Sequence, residues 1–98
     1  MQMLDKILAK REEIYAIARK HKVEKLWVFG SVARREERPD SDVDFLVKFD
    51  GRAGFRDYDI MESTFGKMLG RAIDVVSSSV LPNSPRFAAR VCREAVPV

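Results

Sequence analysis

Apolar residues recur at three- and four-residue steps through the first block of the chain, at Leu4, Ile7, Leu8, Ile14, Ile17 and Ala18. That spacing predicts a helix with one buried stripe, interrupted at Arg11. Arg19, Lys20 and Lys22 crowd its end, where positive charge complements the helix dipole. Leu26-Trp27-Val28-Phe29 is a short bulky run between Lys25 and Gly30, and predicts a buried strand. Ser31 to Glu37 is expected to form a short helix with Ser31 as N-cap, followed by a loop at Arg38-Pro39-Asp40-Ser41. From Asp42 to Phe49 the period changes to two. Val43, Phe45, Val47 and Phe49 share one face; Asp42, Asp44, Leu46 and Lys48 share the other. After a connection running from Asp50 to Gly54, a second helical stripe comprises Tyr58, Met61, Phe65, Met68 and Leu69 and stops at Gly70. Ala72 to Val76 reads as a third strand. Ser84 and Pro85 suit the N-cap and first turn of a last helix, whose apolar face is Phe87, Ala88, Val91 and Cys92.

Strands alternating with helices predict an α/β (α+β) fold, a small mixed sheet flanked by helices. A chain of 98 residues is expected to form one domain over residues 1–98. With 46% hydrophobic and 34% charged residues, it can build a core and a solvated surface, which excludes a disordered chain. At this length the chain is not expected to carry its own substrate domain. A net charge of +3 is too mild to argue for nucleic-acid binding.

One cysteine, Cys92, and one histidine, His21, exclude internal disulfides, Cys- or His-rich metal sites and Ser-His-Asp triads within the chain. No apolar run is long enough to span a bilayer, and Asp5 and Lys6 bring charge too early for a signal peptide. The expected setting is the cytoplasm. Chemistry must then rest on carboxylates, hydroxyls, arginines and a hard metal ion.

The informative acids sit in apolar strands. Asp42 and Asp44 are two apart, so they share a face, with Cα atoms about 6.6 Å apart from twice the strand rise. Two such carboxylates repel unless a cation lies between them, and Mg²⁺ is the natural choice when phosphates complete its shell. Asp74 interrupts the third strand between Ile73 and Val75, where an apolar residue would cost less. If that strand pairs with the Asp42–Phe49 strand, about 4.8 Å away, Asp74 joins the same cluster. Three carboxylates suit two divalent ions roughly 3.5–4 Å apart, the clamp used for in-line nucleotidyl displacement. Gly30-Ser31 lies between a strand and a helix, where backbone N–H groups and the Ser31 hydroxyl can meet a phosphate. Arg34, Arg35 and Arg38 follow, close enough to help neutralise a triphosphate. Each piece alone is common in ordinary turns and solvated helices. The combination points to a metal–nucleotide site.

Phe29-Gly30-Ser31-Val32-Ala33-Arg34, followed by Pro39-Asp40-Ser41-Asp42-Val43-Asp44-Phe45-Leu46-Val47, resembles the signature of the DNA polymerase β-like nucleotidyltransferases, and within them the minimal nucleotidyltransferase (MNT) domains. The resemblance implies that family's fold and transfer of a nucleoside monophosphate, usually AMP from ATP, with release of pyrophosphate. By motif position it implies that Gly30, Ser31 and Arg34 bind the nucleotide and that Asp42, Asp44 and Asp74 are the catalytic, Mg²⁺-binding acids. Asp74 would also activate the acceptor hydroxyl. Arg35 stands where the family commonly has glycine, a departure that bears on the turn. The resemblance further implies a HEPN-domain toxin as partner, with this chain as its antitoxin, in a hetero- or homo-oligomer.

Two other readings compete. One is a binding module that masks its partner without catalysis; the other is transfer to RNA or to a small molecule. The mild charge counts against RNA, and the missing substrate domain counts against a small molecule. Among the remaining residues, His21 is expected to be solvated at the end of its helix. Cys92, Trp27, Phe29, Phe55 and Tyr58 are expected in core packing.

Overall fold

The computed structural model describes residues 2–98. The first helical block is two helices, α1 (Met3–Ala9) and α2 (Arg11–Lys20), which break at Lys10 beside the predicted interruption. β1 (Val23–Phe29) runs into a single helical turn, α3 (Gly30–Ala33), shorter than expected and with Phe29 rather than Ser31 at its N-cap. β2 (Val43–Phe49) starts one residue after Asp42. α4 (Phe55–Leu69) ends at Gly70, whose φ of 68° turns the chain and lets its N–H reach the Gly66 carbonyl at 2.8 Å. β3 (Ile73–Ser77) leads into a 3-10 helix at Ser78–Asn83, then α5 (Pro85–Glu94) and a two-residue strand, β4 (Val96–Pro97). Neither the 3-10 helix nor β4 has a periodicity long enough to read from sequence.

The sheet order is β3-β2-β1-β4. β1 is antiparallel to both β2 and β4, and β2 is parallel to β3, so the sheet is mixed as expected. The alternation of β2 decides which side is sealed. Val43, Phe45 and Val47 are fully buried against Ile7, Ile14, Met61 and Phe65 of α1, α2 and α4. The rings of Phe45 and Phe65 pack with centroids 5.4 Å apart and planes tilted by 50°. The opposite face carries a smaller cluster of Phe29, Leu46 and Val91, joined by Trp27, Val76, Leu81 and Phe87. Phe29 meets Phe87 of α5 edge-on at 5.4 Å.

Side chains also close two strand positions. The Val75 N–H donates to Glu62 Oε2 of α4 at 3.2 Å, and the Leu26 N–H donates to the Tyr15 hydroxyl of α2 at 3.2 Å. Tyr15 is itself flanked by the guanidinium groups of Arg11 and Arg19, 5.6 and 5.4 Å from its ring centre.

Several expectations fail here. His21 is not solvated: its ring lies 3.0 Å from Asp57 Oδ1, with both side chains mostly buried. The Gly54 N–H also donates to Asp57, and these two contacts, Gly54 first, hold that carboxyl below the usual range. Phe55 is 91% exposed at the first turn of α4, and Cys92 is exposed on α5. Tyr58 does pack as expected, edge-on to Phe49. Among the described residues no helix is long and apolar enough to cross a membrane.

Candidate active site

The end of β1 and the starts of β2 and β3 meet at one end of the sheet. Phe29 pairs with Asp44, and Asp44 pairs with Asp74 across the parallel β2–β3 ladder. Residues in register point to the same face, so Asp44 and Asp74 are direct neighbours on the open side of the sheet. Asp42 lies two residues before Asp44, at the mouth of β2. Asp42 and Asp74 are exposed; Asp44 is half-buried.

Gly30 decides how close the turn comes to these acids. Its φ is 75°, in the left-handed region, and a Cβ added there would overlap Asp44 Oδ2. The position requires glycine twice over, for backbone conformation and for space. Ser31 follows at the start of α3, half-buried, with its carbonyl accepting the Glu36 N–H at 2.9 Å.

Arg35 resolves the departure from the family pattern. It adopts φ 59°, the conformation that glycine would favour. Its guanidinium makes two 3.0 Å hydrogen bonds to Asp5 of α1 and one of 2.8 Å to Gln2. The turn therefore keeps a glycine-like shape in a residue with a side chain, which is tethered to the first helix. Arg35 consequently points away from the acids, against the expectation that it would serve a triphosphate.

Arg34 faces the other way. Its guanidinium donates to Glu36 and to Glu94 of α5, and it lines an open cleft of about 460 Å³ with Ala33, Arg90, Arg93 and Glu94. Sequence reasoning did not single out Arg90 and Glu94 as site residues. The signal available was arginine at positions 86, 90 and 93, spaced to share one side of the last helix. Neither Arg71 nor Arg93 is ion-paired with Asp74.

Burial and charge act together on Asp44. Desolvation comes first in raising its pKa, then the negative charges of Asp74 and Asp42; Arg90 opposes the shift and Glu94 adds to it. Negative charge thus collects at this end of the sheet. Among the described residues, no group of three or more His, Cys, Asp or Glu side chains is closed up as a ready metal cage. The donors are all hard oxygens, two of the three carboxylates are free to turn in solvent, and the crowded charge is what a divalent cation relieves. The set fits Mg²⁺ by its chemistry.

Residues 12–98 match the family model described as Polymerase beta, Nucleotidyltransferase. The chain belongs to this nucleotidyltransferase family. It is 36% identical over 93 residues to Protein adenylyltransferase MntA of Thermococcus cleftensis, covering 87% of this chain and 92% of that protein. A solved structure described as a candidate minimal nucleotidyltransferase superposes with a TM-score of 0.82 at 36% identity, over 100% of this chain and 97% of that one. A more distant fold match, with a TM-score of 0.66 at 15% identity, covers 92% of this chain and 69% of the other. It comes from the complex of a tri-AMPylated Shewanella oneidensis HEPN toxin with its MNT antitoxin. The family agrees with the resemblance carried by the Gly30-Ser31 and Asp42-x-Asp44 spacing, and the mixed sheet with the expectation from alternating strands and helices.

Proposed function

We propose that this chain is a Mg²⁺-dependent protein adenylyltransferase that moves AMP from ATP to a hydroxyl on a HEPN-type toxin and so acts as its antitoxin. The observation that carries the reading is the register pairing of Asp44 with Asp74 beside the Gly30 turn. The named activity of the Thermococcus relative and the HEPN complex of the Shewanella fold neighbour support the acceptor.

In this reading Gly30 and Ser31 hold the phosphates through backbone N–H groups and the hydroxyl, and Arg34 adds charge from the same turn. Asp42, Asp44 and Asp74 are the residues that would hold Mg²⁺, as a two-ion set. Bound there, Mg²⁺ would supply charge neutralisation at the phosphates. The acceptor oxygen attacks the α-phosphorus and a new O–P bond forms. The bond from that phosphorus to the oxygen bridging to the β-phosphate breaks, and pyrophosphate leaves with its electron pair. Asp74 takes the hydroxyl proton.

The test is incubation of the full chain with ATP, Mg²⁺ and a HEPN-type protein as acceptor. The partner's intact mass should rise by one or more AMP units with the wild type and stay unchanged with Asp42→Ala, Asp44→Ala. An equal mass gain from the double variant overturns the assignment of these acids. If the double variant adds no AMP yet still silences the toxin in cells, masking rather than transfer neutralises the partner.

A further inference from the structure

The first turn of the motif is joined to the last helix by one nearly buried carboxylate. Glu94 is 9% exposed at its side chain and lies between two guanidinium groups. Its Oε2 accepts from Arg34 Nη1 of the motif turn, sixty residues away in sequence. Its Oε1 is 3.1 Å from Arg90 Nε, one helical turn earlier. That second contact is an ion pair without hydrogen-bond geometry, so Oε1 remains an unsatisfied buried acceptor. A buried, under-bonded carboxylate is expensive, and its retention here needs a reason.

The reason is visible in the cleft that Glu94 floors. Arg34, Arg90 and Arg93 line it with Ala33 and Glu94, in about 460 Å³, the size range of small-molecule sites. Three guanidinium groups against Glu94 and the Glu36 carboxylate paired with Arg34 leave a local charge of about +1, and Arg93 has no carboxylate partner among the described residues. The cleft also adjoins the acids, since α3 starts at Gly30 and ends at Ala33 with Arg34 as its C-cap, and Gly30 sits against Asp44. Positive and negative groups are therefore segregated along one short path, carboxylates at the strand ends and arginines beyond the turn.

We infer that this cleft seats the β- and γ-phosphates of the nucleotide, with α5 contributing Arg90 and Arg93 as phosphate ligands and Glu94 as the positioning residue that holds Arg34 and Arg90. The inference rests on the adenylyl-transfer reading and names the part of that site which receives the leaving group. Planar, forked guanidinium groups suit phosphate oxygens, and pyrophosphate gains negative charge as its bond to the α-phosphorus breaks. Glu94 keeps the arginines paired while the cleft is empty and limits the mobility of two long side chains, reducing what is lost when phosphates bind.

Calorimetric titration of the full chain with inorganic tripolyphosphate, ATP and adenosine, in metal-free buffer, tests this directly. The wild type should bind tripolyphosphate. The Arg90→Ala, Arg93→Ala variant should lose about 10-fold or more in affinity for tripolyphosphate and ATP, and none for adenosine. Arg90→Lys should restore part of the loss, because charge returns without the fork. In transfer assays Glu94→Gln should raise KM for ATP several-fold with a smaller change in kcat, whereas a purely structural role would lower the melting temperature and leave KM unchanged. Wild-type affinity in the double arginine variant, or no tripolyphosphate binding by the wild type, overturns the inference and leaves adenylyl transfer standing. Tripolyphosphate binding that depends on Arg90 and Arg93, in a chain that transfers no AMP, does the reverse.

Discussion

The two faces of one four-stranded sheet are built to different standards. On the side covered by α1, α2 and α4, β2 presents Val43, Phe45 and Val47, all fully buried. On the other, the same strand presents Asp44 and Leu46, and the cover is α5 with a 3-10 helix. Beneath that cover an apolar gap of about 280 Å³ remains between Trp27, Leu46, Leu81 and Val91. Stability is concentrated on the sealed face, and this frees the open face to hold uncompensated charge. Adjacent residues of one strand, Asp44 and Phe45, belong to opposite regimes.

The sharpest break of that contrast is Phe45→Ala. It should cost about 3–5 kcal/mol, a large part of the stability of a domain this size. Thermal melting should show a fall of roughly 15 °C or more. A small shift would mean that the sealed face is not where stability resides. Gly30→Ala comes next and should damage both properties. The strained φ and the overlap with Asp44 Oδ2 should cost about 2–4 kcal/mol. AMP transfer should fall on the order of 100-fold, read from the rate of partner mass gain.

Asp44→Asn should separate the faces. Transfer should collapse while the melting temperature in metal-free buffer holds or rises by a few degrees, because the charge crowded among Asp42, Asp74 and Glu94 is removed. A lower melting temperature would make Asp44 a structural residue. The smallest effect belongs to Asp57→Asn, at the far end of the sheet. The Asp57 pKa is lowered in the folded chain, so its stabilisation is complete above the ordinary carboxylate range and disappears as pH falls through the lowered value. Wild type should melt above Asp57→Asn at neutral pH, and the two curves should converge in acid. A gap that persists in acid would assign the effect to packing.

The parts of this architecture legible in the sequence are those set by local period. Alternation along β2 placed Asp44 on the face opposite Phe45, and the Gly30-Ser31 to Asp42-x-Asp44 spacing pointed to the family. Pairing of Asp44 with Asp74 was readable only as a condition, since no local pattern says which strands adjoin or in which direction. The Arg34–Glu94 contact was hidden for the same reason, being fixed by how α5 crosses the sheet. Cys92 and Phe55 show a different limit. Helical spacing put Cys92 on a stripe without saying whether anything covers it, and Phe55, beside the connection after the second strand, falls on a first turn of α4 that leaves it exposed. Arg35 stands out of the family pattern in the sequence, but its tether to Asp5 depends on where α1 packs.

The side-chain caps on Val75 and Leu26 have one more consequence. A small sheet whose outer amides are free invites another chain to zip alongside it, and fibres can begin that way. Glu62 and Tyr15 occupy two of those docking points with groups from the chain's own helices. Two backbone positions at which a second chain could zip onto the sheet are thereby closed from within.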